Sequence, residues 1–188
     1  MSAVFDAKRL ARVLAVLFAS AESYSGHCFR FVKPKYGNRL DAFSGEGSRH
    51  TSGRFHIKGK FVIVYTSTSL ETAEWEYFHT ARSAGIDPAF LLPCTAISAS
   101  VVLSKVLNLA DSGIRKSLKI TLRELRGGNW SSSSVETLLQ ALGRLADAAG
   151  YEALLVPSAG AGQNLNIFRR NLRLNSVVEI INAGDLPV

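Results

Sequence analysis

A mixed fold of helices and strands, α/β or α+β, is what this sequence predicts. Segments with helical periodicity alternate with short β-branched or aromatic runs along the chain. Hydrophobic residues make up 47% of its 188 residues, ample for a sizeable core and too many for a disordered chain. No linker or internal repeat divides it, so one domain over residues 1–188 is expected.

Residues 1–22 should contribute an amphipathic helix packed on that domain. Leu10, Val13, Leu14, Leu17 and Phe18 recur at helical spacing and form one stripe. Lys8 and Arg9 ahead of an apolar run, with Ala19-Ser20-Ala21 after it, also match a secretory leader. Arg12 interrupts that run, which favours the packed helix. No stretch approaches the roughly 20 apolar residues of a membrane span, so no membrane role is expected.

Cys28 to Val32 alternates as a strand and sets Arg30 opposite Phe29 and Phe31. Residues 37–60 have no periodicity and read as a long irregular loop, a kind that often carries function. Phe61 to Thr66 reads as a buried strand. Thr68-Ser69-Leu70-Glu71 has the form of a capping box and should open a helix running to about Ala84, with Gly85 as its stop. On a helical wheel Glu76 falls just outside the apolar arc, neither buried nor forced into solvent. Cys94 to Leu103 reads as a strand, and 104–130 as short helices. Ser133-Ser134-Val135-Glu136 is a second capping box, before a helix that ends at Gly150. Tyr151–Val156, Asn164–Phe168 and Val177–Ile181 are the remaining strands.

The net charge is +7, and it is concentrated. Between Arg30 and Lys60 stand eight basic residues against Asp41 and Glu46, so this stretch carries +6 of the total. Such a field favours an anionic ligand, a dinucleotide or nucleic acid, or an acidic partner. Against nucleic acid, neither a helix-turn-helix nor an RNP-like aromatic pattern is present. A basic nucleic-acid-binding or non-catalytic interaction module is the alternative reading. Cys28 and Cys94 form no C-x-x-C, and the histidines show no metal spacing, so no metal is expected. Two isolated cysteines fit a reducing, cytoplasmic setting.

From Arg54 in this basic region, Tyr65 and Glu76 follow at successive intervals of eleven residues. They belong to a longer ordered series. It begins with Phe29-Arg30, then Ser44-Gly45-Glu46-Gly47-Ser48-Arg49 and Ser52-Gly53-Arg54-Phe55. It continues with Tyr65-Thr66-Ser67, Ala73-Glu74-Trp75-Glu76, Pro157-Ser158-Ala159 and Asn164. Over Phe29 to Phe168 the chain resembles the RES family, named for an arginine, a glutamate and a serine. The departures are Phe29 for a tyrosine, Ser52 for a glycine and Phe55 for a tryptophan.

The resemblance implies an α+β, ADP-ribosyltransferase-like mixed-sheet core with surrounding helices. It implies a toxin of a bacterial toxin–antitoxin pair that acts on NAD⁺. Members destroy NAD⁺ with water or phosphate, or transfer ADP-ribose to a protein acceptor. Their partner is an Xre-type antitoxin whose segment covers the active site. On this resemblance Glu76, Arg54 and Tyr65 are the catalytic candidates, and Arg30, Arg54, Tyr65, Ser158 and Asn164 the NAD-binding ones. The chemistry fits those types. Arginines grip a pyrophosphate, a carboxylate steadies an oxocarbenium-like ribosyl cation, and a tyrosine ring walls in nicotinamide. Ser158 and Asn164 would fix the ligand's pose. Ser158 has no histidine at a telling spacing and is not read as a nucleophile.

Overall fold

A computed structural model describes residues 5–83, 85–127 and 135–182. The first helix, α1 (Ala7–Ala19), starts where the Asp6 carboxylate accepts the Arg9 amide at 2.9 Å. Leu10 and Leu14 are buried, as the stripe requires. Its carbonyls are tied down by distant residues: Tyr151 donates to Leu14 O at 2.9 Å and Lys105 Nζ to Phe18 O at 3.2 Å. No helix among the described residues is long and apolar enough to cross a membrane.

The sheet has six strands: β1 (Glu22–Val32), β2 (Val64–Ser67), β3 (Thr95–Asn108), β4 (Ala153–Pro157), β5 (Gln163–Ile167) and β6 (Val177–Ile180). Their order is β1-β2-β5-β4-β3-β6, and β1 also pairs with β3. The extra pairing joins β1, β2, β5, β4 and β3 into a ring. All neighbours are antiparallel except β3 and β4. The ring is uneven. β1 and β3 pair from Glu22↔Val106 to Val32↔Thr95, with one register shift between Glu22 and Tyr24, whereas β1 meets β2 through the single pair Phe29↔Ser67. Thus β1 is far longer than Cys28–Val32. Its first half carries Glu22, Ser23, Ser25 and His27 outward and shows no apolar run; pairing with β3 makes it a strand. β3 likewise continues past Leu103, so 104–108 is strand, and α4 (Ser112–Leu118) and α5 (Leu122–Arg126) follow.

Two apolar cores lie on opposite faces of the sheet. One, with Cys28, Val64, Ile97, Val101, Leu165 and Ile167, fills the ring. The other packs Leu154, Val156, Ile63 and Phe168 against α1, α4, α5 and α6 (Leu138–Ala148). The expected cap at Ser133–Glu136 is not the one used; Ser133 and Ser134 lie outside the described residues. Thr137 and Gln140 form the capping box instead. Glu136 is committed elsewhere, pairing with Arg144 through two hydrogen bonds of 2.7 and 2.8 Å. The stretch 37–60 is no open loop. It holds a short helix, α2 (Gly47–His50), and buries Ala42, Phe43, Ser48, Phe55 and His56.

Candidate active site

The helix α3 (Leu70–Ser83) brings in the glutamate. It begins one residue later than the sequence suggests, because Ser69 Oγ rather than Thr68 accepts the first-turn amide, that of Thr72, at 3.2 Å. α3 packs on β1 and β2, with Phe31 against Tyr77 at 6.0 Å between ring centroids. In the second turn of α3, Glu76 faces the sheet, half-buried.

Two side chains from the other half of the chain meet it there. Ser158, at the end of β4, donates to Glu76 Oε1 at 2.6 Å, and Asn164, on β5, donates to the same oxygen at 2.7 Å. Each donor is itself held. Ser67 donates to Asn164 Oδ1 at 2.8 Å, and the Gly160 amide donates to Ser158 Oγ at 3.1 Å. These bonds run one way: Ser67 to Asn164 to Glu76, and Gly160 to Ser158 to Glu76. The carboxylate is fixed by donors and held in one orientation.

The turn between β4 and β5 reaches the helix because its glycines permit it. A Cβ on Gly160 would lie 2.7 Å from the Trp75 ring. Gly162 has φ of +80° and lies against Thr72, whose hydroxyl donates to Ala161 O at 3.1 Å. The Trp75 ring is pinned from its other side by His79, stacked at 4.2 Å.

Tyr65 stands two residues before Ser67, on the same face of β2, opposite Asn166 of β5. Its ring is partly exposed and its hydroxyl enclosed. That hydroxyl accepts from Phe55 N at 3.1 Å and meets His56 Nδ1 at 2.9 Å. His56 Nε2 lies 2.7 Å from Thr51 O, which can only accept, so Nε2 carries the proton and Tyr65 donates to Nδ1. Burial pushes the Tyr65 phenol up, opposed by the Phe55 amide and the nearby Arg54 charge. Burial pushes His56 below the usual histidine range. Arg54 donates to Leu125 O at 3.1 Å, closing the carbonyl end of α5.

One row of the sheet face therefore runs from Glu76 through Asn164 and Ser67 to Asn166 and Tyr65, with Arg54 beyond. Arg30 is not in that row. It is the residue after Phe29, on the opposite face of β1, and donates to Ala42 O at 3.0 Å. Its Nε is buried without a partner, and no ion pair reaches it among the described residues. Burial lowers the guanidinium to about 10, with Cys28 opposing. The sequence reading assigned no role to Ser67, Asn166 or Gly160. Ser67 was within reach, since it follows Tyr65 by two in a strand.

Comparison with known proteins agrees with this architecture. A family model described as the RES domain matches residues 27–188. The proteins named NAD(+) phosphorylase MbcT from Mycobacterium bovis and Mycobacterium tuberculosis are each 26% identical over 139 residues, 73% of this chain and 69% of theirs. A chain in the crystal structure of the M. tuberculosis MbcT–MbcA toxin–antitoxin complex shares the fold. Its TM-score is 0.71 at 22% identity, covering 95% of this chain and 97% of that one. The expected α+β, ADP-ribosyltransferase-like mixed sheet with surrounding helices is the fold observed. The match over residues 27–188 takes in β2 to β6, the second half of β1 and every side chain of the site, and the chain belongs to the RES domain family.

Proposed function

We propose that this chain is the toxin of a toxin–antitoxin pair and an enzyme acting on NAD⁺, breaking the bond between nicotinamide and ribose. The observation that carries the reading is Glu76: a half-buried carboxylate held by Ser158, in the turn after β4, and by Asn164 on β5. As the C1′–N bond breaks, its electron pair leaves with nicotinamide, which becomes neutral, and positive charge grows on the ribose. Glu76 stabilises that charge electrostatically, and its fixed orientation means little reorganisation as the charge develops. Tyr65 offers a ring to the departing nicotinamide. Arg54 supplies the cationic side for the pyrophosphate. Arg30, on the other face of β1 and held to Ala42 O, adds its positive field there rather than a direct contact. It stands one residue beyond the single β1–β2 pair.

An acceptor oxygen then bonds to C1′; an ionised phosphate oxygen has no proton to lose, whereas water or a hydroxyl releases its proton to solvent. Phosphate is the acceptor to test first, since relatives carry the name NAD(+) phosphorylase; water and a protein side chain are the others. The partner we propose is an antitoxin of Xre type that covers Glu76, and the setting is the cytoplasm. The test is incubation of the purified chain with NAD⁺, with and without phosphate, following released nicotinamide. A parallel arm adds cell extract and labelled NAD⁺ to detect transfer to protein. Wild type should release nicotinamide and Glu76→Gln should be slower by about 10²-fold or more. Equal rates for the two proteins would overturn the role of Glu76.

A further inference from the structure

One buried group beside the site is unexplained by the fold. Asn166 is 1% exposed, and its carboxamide oxygen has no hydrogen-bond partner. It is two residues after Asn164 on β5, and strand alternation puts both side chains on the face where Glu76 is held. Neither cross-strand neighbour satisfies it. Tyr65 spends its hydroxyl on Phe55 N and His56 Nδ1, and Leu154 is apolar. A buried amide oxygen without a donor is a cost to the fold. Such a group is kept where a ligand completes it.

The chemistry of the missing donor can be narrowed. A phosphate or carboxylate presents only acceptors and would repel the oxygen. A cation would call for further oxygens converging on this one, and the cross-strand neighbours Tyr65 and Leu154 supply none. What fits is a neutral N–H or O–H donor, and the aromatic surface of Tyr65 beside it favours a planar amide over a ribose hydroxyl. The distance from Asn164, whose amide holds Glu76, is about 7 Å along the strand. In NAD⁺ the nicotinamide carboxamide is separated from the glycosidic carbon by the width of its own ring, whereas the adenine amine is at the far end of the molecule.

Resting on the NAD⁺-cleaving reading above, we propose that Asn166 accepts a hydrogen bond from the nicotinamide carboxamide. It thereby makes the enzyme select NAD⁺ over its nicotinic acid analogue, in which a carboxylate would face that oxygen. The experiment measures kcat/KM for NAD⁺ and for nicotinic acid adenine dinucleotide with wild type, Asn166→Leu and Asn166→Ser, together with thermal melting of each. Wild type should prefer NAD⁺ by about 10²-fold or more, because the acid analogue sets like-charged oxygens against each other. Both variants should cut that preference at least tenfold, chiefly through slower NAD⁺ cleavage. Asn166→Leu should melt no lower than wild type, because it replaces an unsatisfied polar group with an apolar one of similar size. A residue of purely structural importance would lower the melting point and leave the ratio alone. An unchanged ratio in folded Leu and Ser variants overturns the assignment to Asn166 while leaving NAD⁺ cleavage intact. A wild type that releases no nicotinamide under any acceptor overturns the functional reading and this assignment with it.

Discussion

Tyr65 shows how one residue divides its duties. Its ring belongs to the face that carries Glu76, while its hydroxyl is built into the 53–56 turn. Tyr65→Phe should therefore act on stability before it acts on binding. It leaves Phe55 N and His56 Nδ1 without a partner, a loss of about 1–3 kcal/mol. Urea unfolding should show the lowered midpoint, and an unchanged midpoint would mean that the two orphaned groups find new partners. The sequence made Tyr65 visible through its motif and gave no sign of the second duty, because His56 and Phe55 approach it only after the chain has turned. Glu76 was legible in the same partial way. Its position on the helical wheel left its direction open, and its two partners are 82 and 88 residues away. Arg30 was placed on the face opposite Phe29 and Phe31 by alternation alone; that its Nε would be buried there without a partner depended on how the chain around Ala42 folds against it.

Among the elements, the turn from Ser158 to Gly162 is the one the site depends on most. It closes on itself through Ser158 N to Gly162 O at 3.0 Å and rests on Thr72 and Trp75 of α3. A methyl group at Gly160 would force the turn off the indole and move Ser158 away from Glu76. Gly160→Ala is expected to lower kcat for nicotinamide release by about 10²-fold, the scale of a misplaced catalytic group, while melting close to wild type. Retained activity would show that Trp75 yields instead. Cap patterns located both long helices, and each begins later than expected, for a competitive reason. At α3 Ser69 captures the first-turn amide in place of Thr68. At α6 the second Ser/Thr-x-x-Glu/Gln pattern prevails once Glu136 is taken by Arg144. Local pattern finds such a helix; tertiary competition chooses its first residue.

At the scale of the whole molecule, two buried groups tie the fold to pH. His56 is held neutral, its value lowered by burial from an ordinary 6.5. Its contribution is complete above that value and is lost as the pH falls through it, since the unfolded chain takes up the proton first. Glu152, 0% exposed, is pushed up by burial, yet hydrogen bonds from Ser176, Ser104 and the Ser104 and Arg173 amides leave it lowered overall from 4.5. Its contribution disappears lower, as the pH falls below 4.5. Unfolding free energy measured from pH 8 to 4 should decline below about 6.5, and His56→Gln should flatten the upper part of that decline. A decline of equal steepness in the variant would assign it to other groups. Composition and periodicity revealed most of the elements; the ring did not follow from them, because β1 is closed by strands that come after it and by one residue pair on its short side. That closure also sets an order in time. The ribosome delivers Arg30, Arg54, Tyr65 and Glu76 first, and Ser158 and Asn164 follow Glu76 by 82 and 88 residues. A nascent chain, or one cut short before β4, carries the carboxylate with neither of its donors, so the site is put together only after β4 and β5 have been made.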